Sequence, residues 1–277
     1  MQISFEVYPP RKEEDTPKLH EGILRLSELG PKFISVTFGA GGSSTRDSLS
    51  VLKFIRDNSP ASPLAHLTCV GTTELDARAL VSEFLGEGIT DFLALRGDLP
   101  EGETAMPPGT LSRADQLVQL IADARGSGSG TTAVAAFPNG HPESGSDRTD
   151  IAALLAKQEA GADFAITQLF FFTQDYLNFV ELARSRGVTI ELIPGIMPIV
   201  SPGRLARVLE LTGEERPEEL AMQLEGAGDP EARREVGIDW AARQVRELAD
   251  AGVSAVHLYA FNEYANVTQV LRRAGVV

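Results

Sequence analysis

The sequence predicts an α/β protein of the (β/α)8 TIM-barrel class, on three observations. Eight short β-rich runs alternate with helical patterns along its 277 residues. Several helical patterns end in a glycine just before the next strand, where the left-handed cap conformation is needed. Polar side chains recur at alternate positions of the strands, as the two faces of a strand require.

The strands are expected at ISFEVYP (3–9), KFISVTF (32–38), PLAHLT (63–68), DFLALRG (91–97), TAVAAFP (132–138), DFAITQLFF (163–171), TIELIPG (189–195) and SAVHLYAF (254–261). ELDARALVSEFL (74–85) and DIAALLAKQEA (150–160) place apolar residues at helical spacing. Gly30, Gly161, Gly187 and Gly252 stand at helix ends. The stretch from 196 to 253 is too long for one connection and carries three helical patterns. They are the seventh helix plus an insertion between the seventh and eighth strands. Trp240, within it, is expected to pack. DLPEGETAMPPGT (98–110), rich in Pro and Gly after a strand end, is expected to be a mobile loop. An open doubly wound sheet is the competing architecture. GAGGSS (39–44) lacks the third glycine of a dinucleotide fingerprint, which disfavours it. No interdomain linker stands out, so 1–277 is expected to be one catalytic barrel.

With 43% hydrophobic residues the chain has ample core, and 23% charged residues is an ordinary share. A net charge of −14 disfavours nucleic-acid binding and obliges any anionic ligand to find a local cation. Cys69 is the single cysteine, which rules out an intrachain disulfide and suits a small core residue in a reducing cytosol. The chain opens directly as a strand, and no apolar run approaches the roughly 18 residues of a membrane span. The expected location is the cytoplasm, with no membrane partner and no metal site.

Splitting the strands by alternation puts Ile3, Phe5, Val7, Ile34, Val36, Phe38, Leu93, Leu95, Val256 and Leu258 outward, against helices. Ser4, Glu6, Tyr8, Ser35, Thr37, His66, Thr68, Arg96, Asp98, Gln168, Glu191, His257 and Tyr259 then face the lumen or its rim. Each alone has a structural explanation. Together they converge on a space with no bulk solvent, so they need each other or a ligand. Glu6 is the focus. Burial would raise its pKa, which suits a proton donor at neutral pH. Asp98, at a strand end, is the carboxylate expected to stay ionised.

FEVYPPR at the start, VTFGAGGSSTRD (36–47), AHLT (65–68), LALRGD (93–98), AAFPNGHPES (135–144), AITQLFF (165–171) and IPGIMP (193–198) resemble the methylenetetrahydrofolate reductases, in order along nearly the whole chain. The resemblance implies a barrel carrying FAD. It implies reduction of 5,10-methylenetetrahydrofolate to 5-methyltetrahydrofolate by NADH or NADPH through ping-pong hydride transfer. By motif, Glu6 resembles the general acid and Asp98 the residue tuning flavin and pterin. Gln168 resembles the pterin ligand, and Thr37 a neighbour of flavin and nicotinamide. Phe38, Ala40, His66, Arg96, Gly97 and Phe137 resemble the residues lining the FAD site, with His141, Asp150 and Lys157 toward its ribityl and phosphate end. The family forms homo-oligomers. This sequence departs from the pattern at Phe137, where a tyrosine is usual. It also has a proline in IVSPGR where an aromatic is usual, and Glu263 where a basic residue is usual. Direct hydride transfer from NAD(P)H to folate without flavin, and a non-catalytic folate- or flavin-binding subunit, are the alternatives.

Overall fold

The structure, a computed structural model, describes residues 1–37, 45–97, 108–141 and 147–277. Eight parallel strands close into one barrel in chain order. They are β1 (Gln2–Val7), β2 (Phe33–Val36), β3 (Ser62–Thr68), β4 (Asp91–Leu95), β5 (Thr132–Ala136), β6 (Phe164–Leu169), β7 (Glu191–Ile196) and β8 (Ala255–Tyr259). The helices are α1 (Thr16–Ser27), α2 (Thr45–Asn58), α3 (Glu74–Gly86), α4 (Ala114–Arg125), α5 (Asp147–Glu159), α6 (Thr173–Ser185), α7 (Pro202–Thr212), α8 (Glu218–Gly226), α9 (Pro230–Asp250) and α10 (Tyr264–Ala274). Each expected strand is present. Phe38, Ala40, Asp98 and the expected mobile loop through residue 107 lie outside the described residues.

Two apolar layers hold the barrel. The outer one joins Ile3, Phe5, Val7, Ile34, Val36, Val256 and Leu258 to the inner stripes of the helices. Burying one such side chain is worth about 1.5–3 kcal/mol. The second fills the lower lumen with Phe33, Leu64, Leu93, Phe164, Ile166 and Ile193. Phe33 of β2 meets Phe164 of β6 across the axis, ring centroids 5.5 Å apart. Leu93 and Leu95 therefore face inward, against the expectation, while Phe92 and Ala94 face the helices. β4 is apolar on both faces, so alternation carried no polarity signal there.

Gly30, Gly161, Gly187 and Gly252 all adopt positive φ, as the helix ends require. In the β7–β8 connection, α9 takes the barrel position and packs on α6, β7 and α10. The inserted pair is α7 and α8. With α9 they enclose a separate cluster of Leu205, Val208, Leu220, Leu224 and Trp240. Trp240 packs as expected, with the Arg243 guanidinium 4.2 Å above its ring. Cys69 is fully buried. Among the described residues no helix is long and apolar enough to cross a membrane.

Gly195 of β7 marks the tightest approach inside the barrel. A Cβ there would run into the Thr167 carbonyl and lie 2.7 Å from the Tyr259 ring. The same carbonyl accepts the Tyr259 hydroxyl at 2.8 Å, and Thr167 Oγ1 accepts the Gly195 N–H at 2.9 Å. Gly195→Ala is expected to cost about 1–3 kcal/mol of stability by overpacking. Chemical denaturation would read this as a lower midpoint with an unchanged slope. An unaltered midpoint would show that Tyr259 yields freely.

Candidate active site

Glu6 sits near the C-terminal end of β1, and barrel closure decides its company. β1 pairs with β8 so that Ser4 stands opposite His257 and Glu6 opposite Tyr259. β2, on the other side, sets Glu6 beside Ser35. Thr37 follows the end of β2, its N–H donating to the Val7 carbonyl at 3.1 Å. Its hydroxyl then donates to Glu6 Oε1 at 3.1 Å. His66 Nε2 lies 3.6 Å from Glu6 Oε2, and His257 Nε2 lies 4.0 Å from the same oxygen. The Tyr8 phenol faces the carboxyl from above. Only 10% of the Glu6 side chain is exposed. The expected enclosure of Glu6 at the barrel axis is what the structure shows.

The expected pKa shift is not. Burial pushes the Glu6 carboxyl up, but the His66 and His257 imidazoles and the Thr37 hydroxyl outweigh it and hold the acid below its ordinary value. Burial pushes His66 down, against the pull of Glu6. The Tyr8 and Tyr259 phenols are pushed up by burial and by the Glu6 charge, so both stay protonated. Ser4 Oγ lies 2.9 Å from His257 Nδ1 and 3.4 Å from the Val256 carbonyl. Its one proton can go to either. Donation to Nδ1 leaves the proton of a neutral His257 on Nε2, facing a Glu6 carboxylate. Donation to Val256 lets Nδ1–H donate to Ser4, so Nε2 faces Glu6 as an acceptor.

A second group forms where β3, β4 and β5 end. Lys157, from the last turn of α5, donates to the Ala135 carbonyl at 2.8 Å. Burial pushes its pKa down to about 8, against Asp150 and Asp115 and together with Arg96. The ammonium thus has two carboxylates in range and is still short of negative charge. Gly97 has φ +81°, and a Cβ there would press on Val70 at 3.1 Å, so the backbone is left bare beside Arg96. Asp150 accepts the His141 N–H at 3.0 Å, and the His141 ring packs edge-on against Phe137, centroids 4.6 Å apart. Phe137, His141 and Asp150 line a cleft of about 740 Å³ that continues past Ile151 to Asp175.

The structure therefore brings the site residues predicted from sequence into two groups: Glu6, Thr37 and His66 at the axis, and Arg96, Gly97, Phe137, His141, Asp150 and Lys157 along the β4–β5 rim. Gln168 is half-buried near the end of β6, its side-chain oxygen accepting the Leu169 N–H at 2.9 Å. Asp98, Phe38 and Ala40 lie outside the described residues. Ser4, Tyr8, His257 and Tyr259 were placed inward by alternation but given no role. The structure gathers Tyr8, His257 and Tyr259 around the Glu6 carboxyl, with Ser4 behind His257. Among the described residues no cluster of metal-ligating side chains occurs.

Barrels of this kind carry their chemistry at the C-terminal ends of the strands. Here that end holds an enclosed acid faced by two imidazoles, the kind of arrangement found in (β/α)8-barrel enzymes. Comparison with known proteins narrows this. A family model described as methylenetetrahydrofolate reductase matches residues 1–275. The 5,10-methylenetetrahydrofolate reductase of Escherichia coli (strain K12) is 36% identical over 263 residues, covering 95% of this chain and 86% of that protein. Methylenetetrahydrofolate reductase (NADH) 1 of Arabidopsis thaliana is 32% identical over 99% of this chain and 48% of its own length. The chain belongs to the methylenetetrahydrofolate reductase family. Among solved structures, an uncharacterized protein from Clostridium thermocellum that binds two copies of 5-methyl-5,6,7,8-tetrahydrofolic acid superposes with a TM-score of 0.64 at 13% identity, over 98% of this chain and 95% of its own. That likeness is one of fold.

Proposed function

We propose that the protein reduces 5,10-methylenetetrahydrofolate to 5-methyltetrahydrofolate, taking its hydride from NADH or NADPH by way of bound FAD. The observation that carries this is the placement of Glu6, enclosed at the axis with Thr37, His66 and His257. FAD would relay the hydride, accepting it from the nicotinamide and yielding it to the folate in a separate half-reaction.

The chain's own residues fit that cofactor. Lys157 is a half-buried ammonium at the β4–β5 rim, and a pyrophosphate would pair with it. Arg96 adds a second cation, and the bare backbone at Gly97 admits a flat ring system. Phe137 and His141 offer an aromatic corner, and Asp150 an acceptor for hydroxyls. Asp98 would orient the pterin, and Gln168 would hydrogen-bond it.

Glu6 would donate the proton that opens the five-membered ring of the folate. The N10–methylene bond breaks, the proton goes to N10, and the methylene remains on N5 as an iminium ready for hydride. In the open site Glu6 is held low by its imidazole neighbours. A planar substrate over the mouth excludes the water that reaches it and favours the neutral acid. Thr37, and whichever of His66 and His257 carries a proton on the facing nitrogen, orient the carboxyl and reload it between turnovers.

The test is an anaerobic one. The purified protein is expected to show flavin absorbance near ~450 nm, a band set by the cofactor's own chemistry. NADH or NADPH should bleach it, and methylenetetrahydrofolate should restore it. A colourless protein that still reduces folate would favour direct transfer from nicotinamide. A coloured one with no folate turnover would favour a binding subunit. The relatives include a probable methylenetetrahydrofolate reductase (NADPH) of Caenorhabditis elegans and the NADH enzyme of Arabidopsis thaliana, so both donors belong in the assay.

A further inference from the structure

A chain with net charge −14 must present a local cation to an anionic substrate. Lys157 and Arg96 are committed to the β4–β5 rim. The opposite rim, where β7, β8 and β1 end, holds Arg204. This residue lies in the first turn of α7, a turn with no acidic residue. Ser201 Oγ accepts the Arg204 N–H at 3.1 Å and fixes the backbone there. The Arg204 guanidinium lies over the Phe261 ring, 5.0 Å from its centroid. Phe261 stacks in turn on Tyr8, with centroids 5.3 Å apart and planes 14° apart, and Tyr8 faces Glu6. A continuous aromatic stack thus runs from the buried acid to the cation at the rim.

The chain holds that stack at a cost. Phe261 and Asn262 both adopt positive φ, 47° and 60°; asparagine tolerates this conformation, whereas at Phe261 it costs about 1–2 kcal/mol. Asn262 secures the turn by accepting the Tyr8 N–H and donating to the Tyr8 carbonyl, each at 2.9 Å. Strained turns persist where they aim a side chain, and this one inserts Phe261 between Tyr8 and Arg204.

Arg204 is also incompletely paired. Among the described residues its one ion pair is Nη2 to Glu263 Oε1 at 3.3 Å, with 28% of the arginine side chain and 45% of the glutamate exposed. Glu263 is shared, its other oxygen accepting from Asn266 at 2.6 Å. The fork of the guanidinium has room for a second oxyanion, to which it is suited by shape.

We infer that Arg204 reads an anionic oxygen of the substrate lying in the barrel mouth, with Glu263 as the counter-ion that the substrate displaces. The inference rests on the proposed folate and nicotinamide substrates. Both carry such oxyanions, glutamyl carboxylates in one and a pyrophosphate in the other. Glu263, which by sequence alone should repel an anionic tail, is instead the resting partner of the residue that attracts it.

The test is Arg204→Gln in the flavin-loaded enzyme, with the two half-reactions measured separately. The dissociation constant for one substrate should rise roughly ten-fold, the scale of one charge-assisted hydrogen bond, while the limiting rate stays within about two-fold. A rise for methylenetetrahydrofolate alone assigns a folate carboxylate, and a rise for the nicotinamide dinucleotide alone assigns its phosphate. Arg204→Lys, which keeps the charge and loses the fork, should fall between the two. Glu263→Gln should tighten binding of the same substrate. Added salt should weaken binding to the wild type more than to Arg204→Gln. Unchanged affinity for both substrates in a folded Arg204→Gln protein, or weaker binding in Glu263→Gln, overturns the inference. A wild type that turns over no folate would instead overturn the proposed function.

Discussion

Glu6→Gln is expected to leave flavin reduction by the nicotinamide close to wild type and to slow folate reduction by about 10²–10⁴, the usual worth of a positioned general acid. The substitution conserves shape, and the amide oxygen can still accept the Thr37 hydroxyl now bonded at 3.1 Å. What it cannot do is release a proton. The pH dependence separates this role from a structural one. An acid works only while protonated, so wild-type folate reduction should fall as pH rises through the pKa of Glu6. That value lies low in the open site, so the fall should begin at higher pH once substrate covers it. In Glu6→Gln the same limb should be flat. Rapid-mixing measurements on reduced enzyme would read both. Wild-type rates of folate reduction in the variant would remove Glu6 from the mechanism.

Lys157→Met is expected to empty the cofactor site while making the cofactor-free protein more stable. The lysine pKa falls from its ordinary 10.5 to about 8, with burial as the leading cause. A depression of that size corresponds to about 3 kcal/mol before discounting for the part of the side chain that water reaches. The sign follows from proton binding. Between pH 8 and 10.5 the unfolded chain holds the proton more firmly than the folded one, so stability of the cofactor-free protein should climb across that window. Below pH 8 the full penalty applies. Methionine removes the buried charge, so the variant should melt a few degrees higher at pH 7 and show no climb. It should also bind FAD roughly 10- to 100-fold more weakly, having lost a charge-assisted contact. Pairing with a pyrophosphate should likewise abolish the climb in flavin-loaded wild type. Retention of the flavin by Lys157→Met would place the phosphates elsewhere.

Much of this was legible because strand alternation and closure are geometric rules. Ser4, Glu6 and Tyr8 alternate with Ile3, Phe5 and Val7, and a closed ring leaves the polar set only the lumen. The rule failed at Leu93 and Leu95. The lower lumen is itself apolar, so DFLAL reads the same whichever way it faces. The pKa of Glu6 failed for a different reason. Sequence shows that a carboxyl is buried, but not that imidazoles from positions 66 and 257 meet it within 4.0 Å. Arg204 left no trace because SPGR reads as an ordinary helix start. Its meaning comes from Phe261, some 57 positions later in the chain.

The clamp between Tyr8 and Asn262 joins positions 254 apart in the sequence. Its consequence is temporal. Glu6 leaves the ribosome long before His257, Tyr259 and Asn262. A nascent or C-terminally nicked chain lacks the eighth stave, and its carboxyl meets open water. The Glu6 carboxyl is therefore enclosed only once β8 docks against β1 and the ring of strands closes.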